Sequence, residues 1–194
     1  MEVKTRFERP TKLGQAIVPG LPLLPHGVER YVVPGGGSRG IKIDKGDEIT
    51  VVDREGLQLG EMVFFAPDGS SDAGMIGAKG SGQAEHLINL LSSGDLSGRK
   101  VLIALETSGF DIKNGDAIRI FEEGSNSGDN VDFFASSDGL LIVSAPGEKM
   151  LPQAQNGSTE LIVYVRRSNP GEGKGGLAPP DPLADPILDL NIQP

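Results

Sequence analysis

Cysteine is absent from the 194-residue chain, so disulfides and thiolate metal ligands are excluded outright. Histidine is nearly absent. Only His26 and His86 occur, and neither has a second histidine three or four residues away, so a clustered zinc site has no support. Long apolar runs are missing too. None approaches the roughly 20 residues that a membrane span needs, and Met1-Glu2-Val3-Lys4 opens no apolar signal segment. These absences point to a cytoplasmic chain. Positive charge is scarce: 18 Lys and Arg stand against 27 Asp and Glu, a net charge of −9. Such a chain repels phosphate backbones and anionic bilayers, which argues against nucleic-acid and membrane partners. An acidic balance weakly favours a cationic ligand, but its commoner role is solubility.

What the chain does hold is turn-formers, with 28 Gly and 14 Pro beside 37% apolar residues. That composition predicts a mainly β fold, a barrel or sandwich of short strands, since each turn needs its own Gly or Pro. Residues 1–30 read as an irregular arm, because Pro10, Pro19, Pro22 and Pro25 leave no room for a long regular element. Strands follow at Tyr31-Val32-Val33, Ile41-Lys42-Ile43, Ile49-Thr50-Val51-Val52 and Met62-Val63-Phe64-Phe65. The Gly35–Gly40 cluster lacks the Gly-Lys-Ser/Thr of a phosphate loop and reads as a strand connection. Ala84, Leu87, Ile88 and Leu91 form an apolar stripe at helical spacing. They predict one main helix at about residues 83–93, with Ser81 as its N-terminal cap and Gly94 as its C-terminal cap. Val101–Leu105, Leu140–Val143 and Leu161–Val165 are apolar on both faces and read as central strands.

Ile43-Asp44-Lys45-Gly46-Asp47-Glu48-Ile49-Thr50-Val51 is echoed by Ile112-Lys113-Asn114-Gly115-Asp116-Ala117-Ile118-Arg119-Ile120. This is a weak duplication or two uses of one turn. Residues 31–168 form the predicted domain, 169–186 a Gly- and Pro-rich linker, and 187–194 the start of a following domain or a returning strand.

No serine stands in a Gly-x-Ser-x-Gly elbow. Glu106 and Asp111 flank a polar turn, where sites commonly lie. The competing reading is a turn held by Asp and Ser side chains. A stand-alone binding domain would line its pocket with Arg99, Glu106 and Asp111.

Several stretches resemble the urea-carboxylase-associated family. They are Tyr31-Val32-Val33-Pro34, Ile49-Thr50-Val51-Val52-Asp53-Arg54-Glu55-Gly56, Met62–Ala66, Leu90-Leu91-Ser92-Ser93 with Gly98-Arg99, and Ile103–Asp111. The departures fall where the family has soft ligands. Phe110 stands in place of a histidine, and Ser144-Ala145-Pro146 resembles the family's serine, alanine, cysteine, proline with the cysteine gone. The resemblance implies a ligand-depleted, non-catalytic domain of a larger enzyme. The layout is similar to bacterial demethylases in which such domains precede a glycine-cleavage T-protein-like domain. It implies for the whole enzyme a carbon–nitrogen cleavage that releases dimethylamine and formaldehyde, using zinc or iron and tetrahydrofolate, with no cofactor held in this segment. The implied partners are downstream domains of the same chain, and a homo-oligomer is left open. The alternatives are a small-molecule-binding domain or a deiminase-type enzyme of the same family; the missing histidine and cysteine oppose the second.

Overall fold

The structure, a computed structural model, describes residues 24–92, 96–147 and 157–171, and of residues 96–101 the backbone alone. The strands are β1 (Val28–Val33), β2 (Ser38–Ile43), β3 (Glu48–Asp53), β4 (Gly60–Phe65), β5 (Gly82–Gln83), β6 (Asp116–Ile120), β7 (Asn130–Phe134), β8 (Gly139–Ser144) and β9 (Leu161–Arg166). They form two antiparallel sheets. Sheet A has the order β1-β9-β3-β7 and sheet B the order β2-β8-β4-β6-β5. From β1 to β4, and again from β6 to β9, each strand lies in the opposite sheet from the one before it. Each of those connections is therefore a corner between layers, the wiring of a jelly-roll sandwich. The sheets stay separate and do not close into a barrel.

Alternation along each strand sends one set of side chains between the sheets. Val33, Ile41, Ile43, Ile49, Val51, Met62, Phe64, Leu141, Val163 and Val165 meet there, each with no exposed surface. Each such burial contributes about 1.5–3 kcal/mol. β8 and β9 are central strands, as their two-sided apolar runs predict.

β4 is buried at all six positions because a second layer covers its other face. Helices α1 (Glu85–Ser92) and α2 (Leu96–Thr107) lie between β5 and β6 in the chain. Leu87, Leu91 and Leu105 from this layer pack on Val63, Phe65, Ala117 and Ile142 of sheet B.

α1 falls within the expected 83–93; its Leu87 and Leu91, and Ala84 just before it, are the buried members of the predicted stripe. Val101–Leu105, by contrast, lies in a second helix rather than a strand. A short apolar run cannot be told from a helix face by periodicity. In α2, Leu105 is buried, Leu102 half-buried and Ile103 61% exposed, one-sided burial that a central strand would not show. Ser81 does not cap α1. Its amide donates to the Ala117 carbonyl at 2.7 Å and its hydroxyl accepts from the Arg119 amide at 3.2 Å, so it belongs to the β5–β6 edge. Gly94 lies outside the described residues, as do residues 1–23 of the arm and 172–194 of the linker and tail. β1 begins at Val28, inside the stretch expected to be irregular.

The two echoed turns differ in conformation. Gly46 is left-handed, at φ +89°, before β3, whereas Gly115 has φ −65° before β6. They also lead into different sheets, so they are two solutions to one problem rather than a duplicated unit. Among the described residues, no helix is long and apolar enough to cross a membrane.

Candidate functional site

The outer face of sheet B carries a row of four polar side chains beside the helical layer. Backbone register places Ser38 opposite Ser144, Ser144 opposite Glu61, and Glu61 opposite Arg119. Ser38 and Ser144 are 1% exposed and Glu61 not at all. The next row, Gly40, Ile142, Val63 and Ala117, is apolar.

A buried carboxylate must find donors. Glu61 Oε1 accepts from the Leu87 amide at 2.8 Å. Leu87 is the third residue of α1, and the residue before the helix is Ala84, whose carbonyl takes the Ile88 amide at 2.9 Å. Alanine has no side-chain acceptor for the free amides of the first turn. Glu61 supplies that acceptor from the sheet, and its charge meets the positive end of the helix dipole. Its other oxygen, Oε2, stands 3.6 Å from Arg119 Nε. Neither atom has a hydrogen-bond partner, so the pair is held by charge alone. Arg119 also reaches Glu85 at 3.6 Å and Glu122 at 4.0 Å, and donates to the Gln83 carbonyl at 3.3 Å. The Ser144 hydroxyl donates to the Glu61 carbonyl at 3.1 Å. The row therefore fastens a helix to a sheet: Ser144 spends its hydroxyl proton on the Glu61 carbonyl, and the Glu61 carboxylate is engaged by the Leu87 amide and Arg119.

Two further buried acids lie at the margins of sheet A. Asp47, fully buried before β3, accepts from the Asp44 amide at 3.0 Å, the Ser168 amide at 2.9 Å and Arg167 Nη1 at 2.7 Å. Arg167 Nη2 meets Glu29 Oε2 at 2.5 Å, and the Tyr31 hydroxyl donates to the same oxygen at 2.5 Å. Burial, then the hydrogen bond and charge of Glu29, push the Tyr31 phenol up to about 12. Burial works against the Arg167 charge, but hydrogen bonds to Glu29 and Asp47 outweigh it and hold its pKa above the ordinary value. Asp53 is also fully buried. It accepts from the Gly56 and Gln58 amides, both at 2.9 Å, and from the Ser125 hydroxyl. The Asp-x-Glu-Gly part of the family-like stretch is thus a turn-holder, bracing Leu57 at φ +62°.

Asp111 is an exposed cap. Its Oδ1 accepts from the Lys113 amide at 3.0 Å and its Oδ2 from the Asn114 side chain at 2.7 Å. Glu106 is exposed on the last turn of α2. Arg99 lies in the same helix, with its side chain outside those described. Phe110 packs on Phe65, with ring centroids 5.3 Å apart, in the outer cluster. Ala145 is buried in the inner cluster. Phe110, which stands in place of the histidine, and Ala145, which adjoins the lost cysteine, thus belong to different clusters. A cavity of about 660 Å³ lies against sheet A, lined in part by Glu48, Thr50, Asp132, Phe134, Tyr164 and Arg166; its lining includes neither Glu106 nor Asp111. Among the described residues, no three His, Asp or Glu side chains converge as a metal site would require. Glu61 and Arg119 escaped the sequence reading. The signal was one charge inside an otherwise apolar strand, in Gly60-Glu61-Met62-Val63 and again in Ile118-Arg119-Ile120.

Fold and site together define a two-layer β-sandwich domain with a helical cover fastened by a buried carboxylate. No protein-family model matches the chain. It is similar to trimethylamine-oxide aldolase of Ruegeria pomeroyi, 37% identical over 183 residues and 94% of this chain. The match covers 23% of that protein, so the chain spans about a quarter of the length of the curated relative. Among solved structures, a DUF1989 family protein from Silicibacter pomeroyi matches at 15% identity and a TM-score of 0.43, over 84% of this chain and 91% of that one. A de novo designed double-stranded β-helix matches at 10% identity and a TM-score of 0.26, over 72% and 95%.

Proposed function

We propose that the chain is a non-catalytic structural and assembly domain of a demethylase resembling trimethylamine-oxide aldolase. The observation that carries this reading is the 37% identity over 94% of the chain, against 23% of the relative. That is one domain's share of a longer enzyme. The interior supports it: the space between the sheets is filled by apolar side chains. The buried acids are each engaged in holding a turn, a strand end or a helix start. A reading without a metal here is supported by the absence, among the described residues, of any convergent trio of His, Asp or Glu. Zinc or iron, and tetrahydrofolate, are therefore assigned in this reading to downstream domains, which are the chain's partners. No chemical step is routed through this chain.

The test measures formaldehyde released from trimethylamine N-oxide by the purified chain, beside the Ruegeria relative with zinc or iron and tetrahydrofolate supplied to both. The expected result is turnover by the relative and none by the chain. Turnover by the chain alone would overturn the non-catalytic reading.

A further inference from the structure

Among the described residues no helical layer covers the outer face of sheet A, where the side chains of Arg166 and Glu48 are exposed by 65% and 61%. Its charges are sorted by strand. Arg30 on β1 and Arg166 on β9 make one half positive; Glu48 on β3 and Asp132 on β7 make the other negative. Register arranges them in two rows. One runs Val28, Arg166, Glu48, Phe134 and the next Arg30, Tyr164, Thr50, Asp132.

Arg166 and Glu48 meet within the chain at 3.2 Å. Arg30 has no ion pair among the described residues, and Asp132 takes only the Thr50 hydroxyl, at 2.6 Å. Arg30 and Asp132 stand three strand spacings apart, about 14 Å, too far to meet in one molecule. A partner of uniform charge would face like charge on one half. A small ligand of single charge would meet like charge on one side of the cavity that Glu48, Asp132 and Arg166 line. The pattern is complementary to itself.

We propose that this face docks a second copy of the chain, about a two-fold axis parallel to the strands and between β9 and β3. That rotation reverses the strand order across the sheet but keeps the rows. Arg30 then lies over Asp132 of the second copy, Arg166 over its Glu48, and Val28 over its Phe134. Each contact occurs twice, as an isologous interface requires. Sheet faces stack about 10 Å apart, a gap that an arginine and an aspartate reaching from opposite sides can bridge. Four strands by six residues cover roughly 20 by 20 Å, about half the area per partner of a standard interface, so the dimer is weak and sensitive to salt. This inference stands apart from the demethylase reading.

The test is analytical ultracentrifugation of the whole chain from about 10 μM to 1 mM in low salt, a range suited to a small interface. The expected result is a concentration-dependent dimer, at least about tenfold weaker in 0.5 M salt. Arg30→Asp and Asp132→Arg should each weaken self-association at least about tenfold, because each places like charges face to face. An equimolar mixture of the two variants should recover association, since both cross-pairs are then opposite in sign. Circular dichroism checks their fold, and Arg30→Gln with Asp132→Asn replaces them if either reversal unfolds. The salt series on the unaltered chain tests the same interface without any variant. A monomer throughout, a dimer indifferent to salt and to both substitutions, or folded variants that fail to associate on mixing would overturn the proposal.

Discussion

The two sheets treat their outer faces in opposite ways. On sheet B the outward positions of β4 are Glu61, Val63 and Phe65, all buried beneath α1 and α2. On sheet A the outward positions of β3 are Glu48, Thr50 and Val52, all at least partly open to water. Both strands alternate with period two, and both send apolar side chains inward. What separates them is the company of the outward charge. Glu48 pairs in water with Arg166, where an ion pair contributes little. Glu61 is out of water and holds a helix start that lacks its own acceptor. Sheet A keeps its buried polar network at its margin, where Asp47, Arg167, Glu29 and Tyr31 join the β2–β3 turn to the ends of β1 and β9.

The largest break in this comparison comes from the helical cover. Leu87 has no exposed surface and sits in the outer cluster. Leu87→Ala should cost about 2–5 kcal/mol, read from the denaturant midpoint at constant slope. A cost below about 1 kcal/mol would mean that the helices rest on sheet B without adding to its stability.

Glu61 comes next. Glu61→Ala removes the acceptor for the Leu87 amide and a charge facing Arg119. The expected loss is about 2–3 kcal/mol, less than for a fully enclosed pair because Arg119 keeps Glu85 and Glu122. Glu61→Gln retains an oxygen for the helix and should cost only about 1 kcal/mol. Equal costs for the two variants would show that charge, not the cap, is what Glu61 contributes.

Much of this fold is legible in the sequence, and the illegible parts share one cause. The turn at Gly46-Asp47, the alternation of Ile49 and Val51, the stripe of Ala84, Leu87 and Leu91, and the two-sided runs of β8 and β9 are all local patterns. Each is set by neighbours within a few residues. The Val101–Leu105 run failed because one-sidedness is conferred by what the segment lies on, and sheet B is remote in sequence. Ser81 failed as a cap for the same reason: the acceptor comes from Glu61, 26 residues before the amide it receives. Asp53 sat inside a recognisable stretch, but its task appears only when Ser125, 72 residues later, closes on it.

The margin network of sheet A predicts a smaller effect, confined to alkaline pH. The Tyr31 phenol titrates at about 12 in the folded chain, against about 10 when unfolded. A raised pKa stabilises the protonated folded form, so this contribution is fully present below pH 10. Between pH 10 and 12 the unfolded chain releases a proton that the folded chain keeps, and stability falls as pH rises. The contribution is about 1–2 kcal/mol after allowance for the partial exposure of the ring. Tyr31→Phe should remove this part of the alkaline fall in unfolding midpoint. An unchanged slope in the variant would show that other groups cause it.

The smallest expected effect lies on the open face. Thr50 is half-buried and donates to Asp132 at 2.6 Å, directly across the β3–β7 pair. Both side chains are wetted, so the bond replaces one to water and its net contribution is small. Thr50→Val keeps the β-branched shape that suits a strand and removes only the donor. The stability of the single chain should change by no more than about 0.5 kcal/mol, measured at dilution where copies do not meet. Asp132 is left free to take Arg30 of a second copy as its partner, so self-association should hold or tighten. A loss near that of Glu61→Ala would mean that the sheet A ladder is as tightly held as the buried row of sheet B. The contrast between the two faces would then lie in their cover alone and not in their energetics.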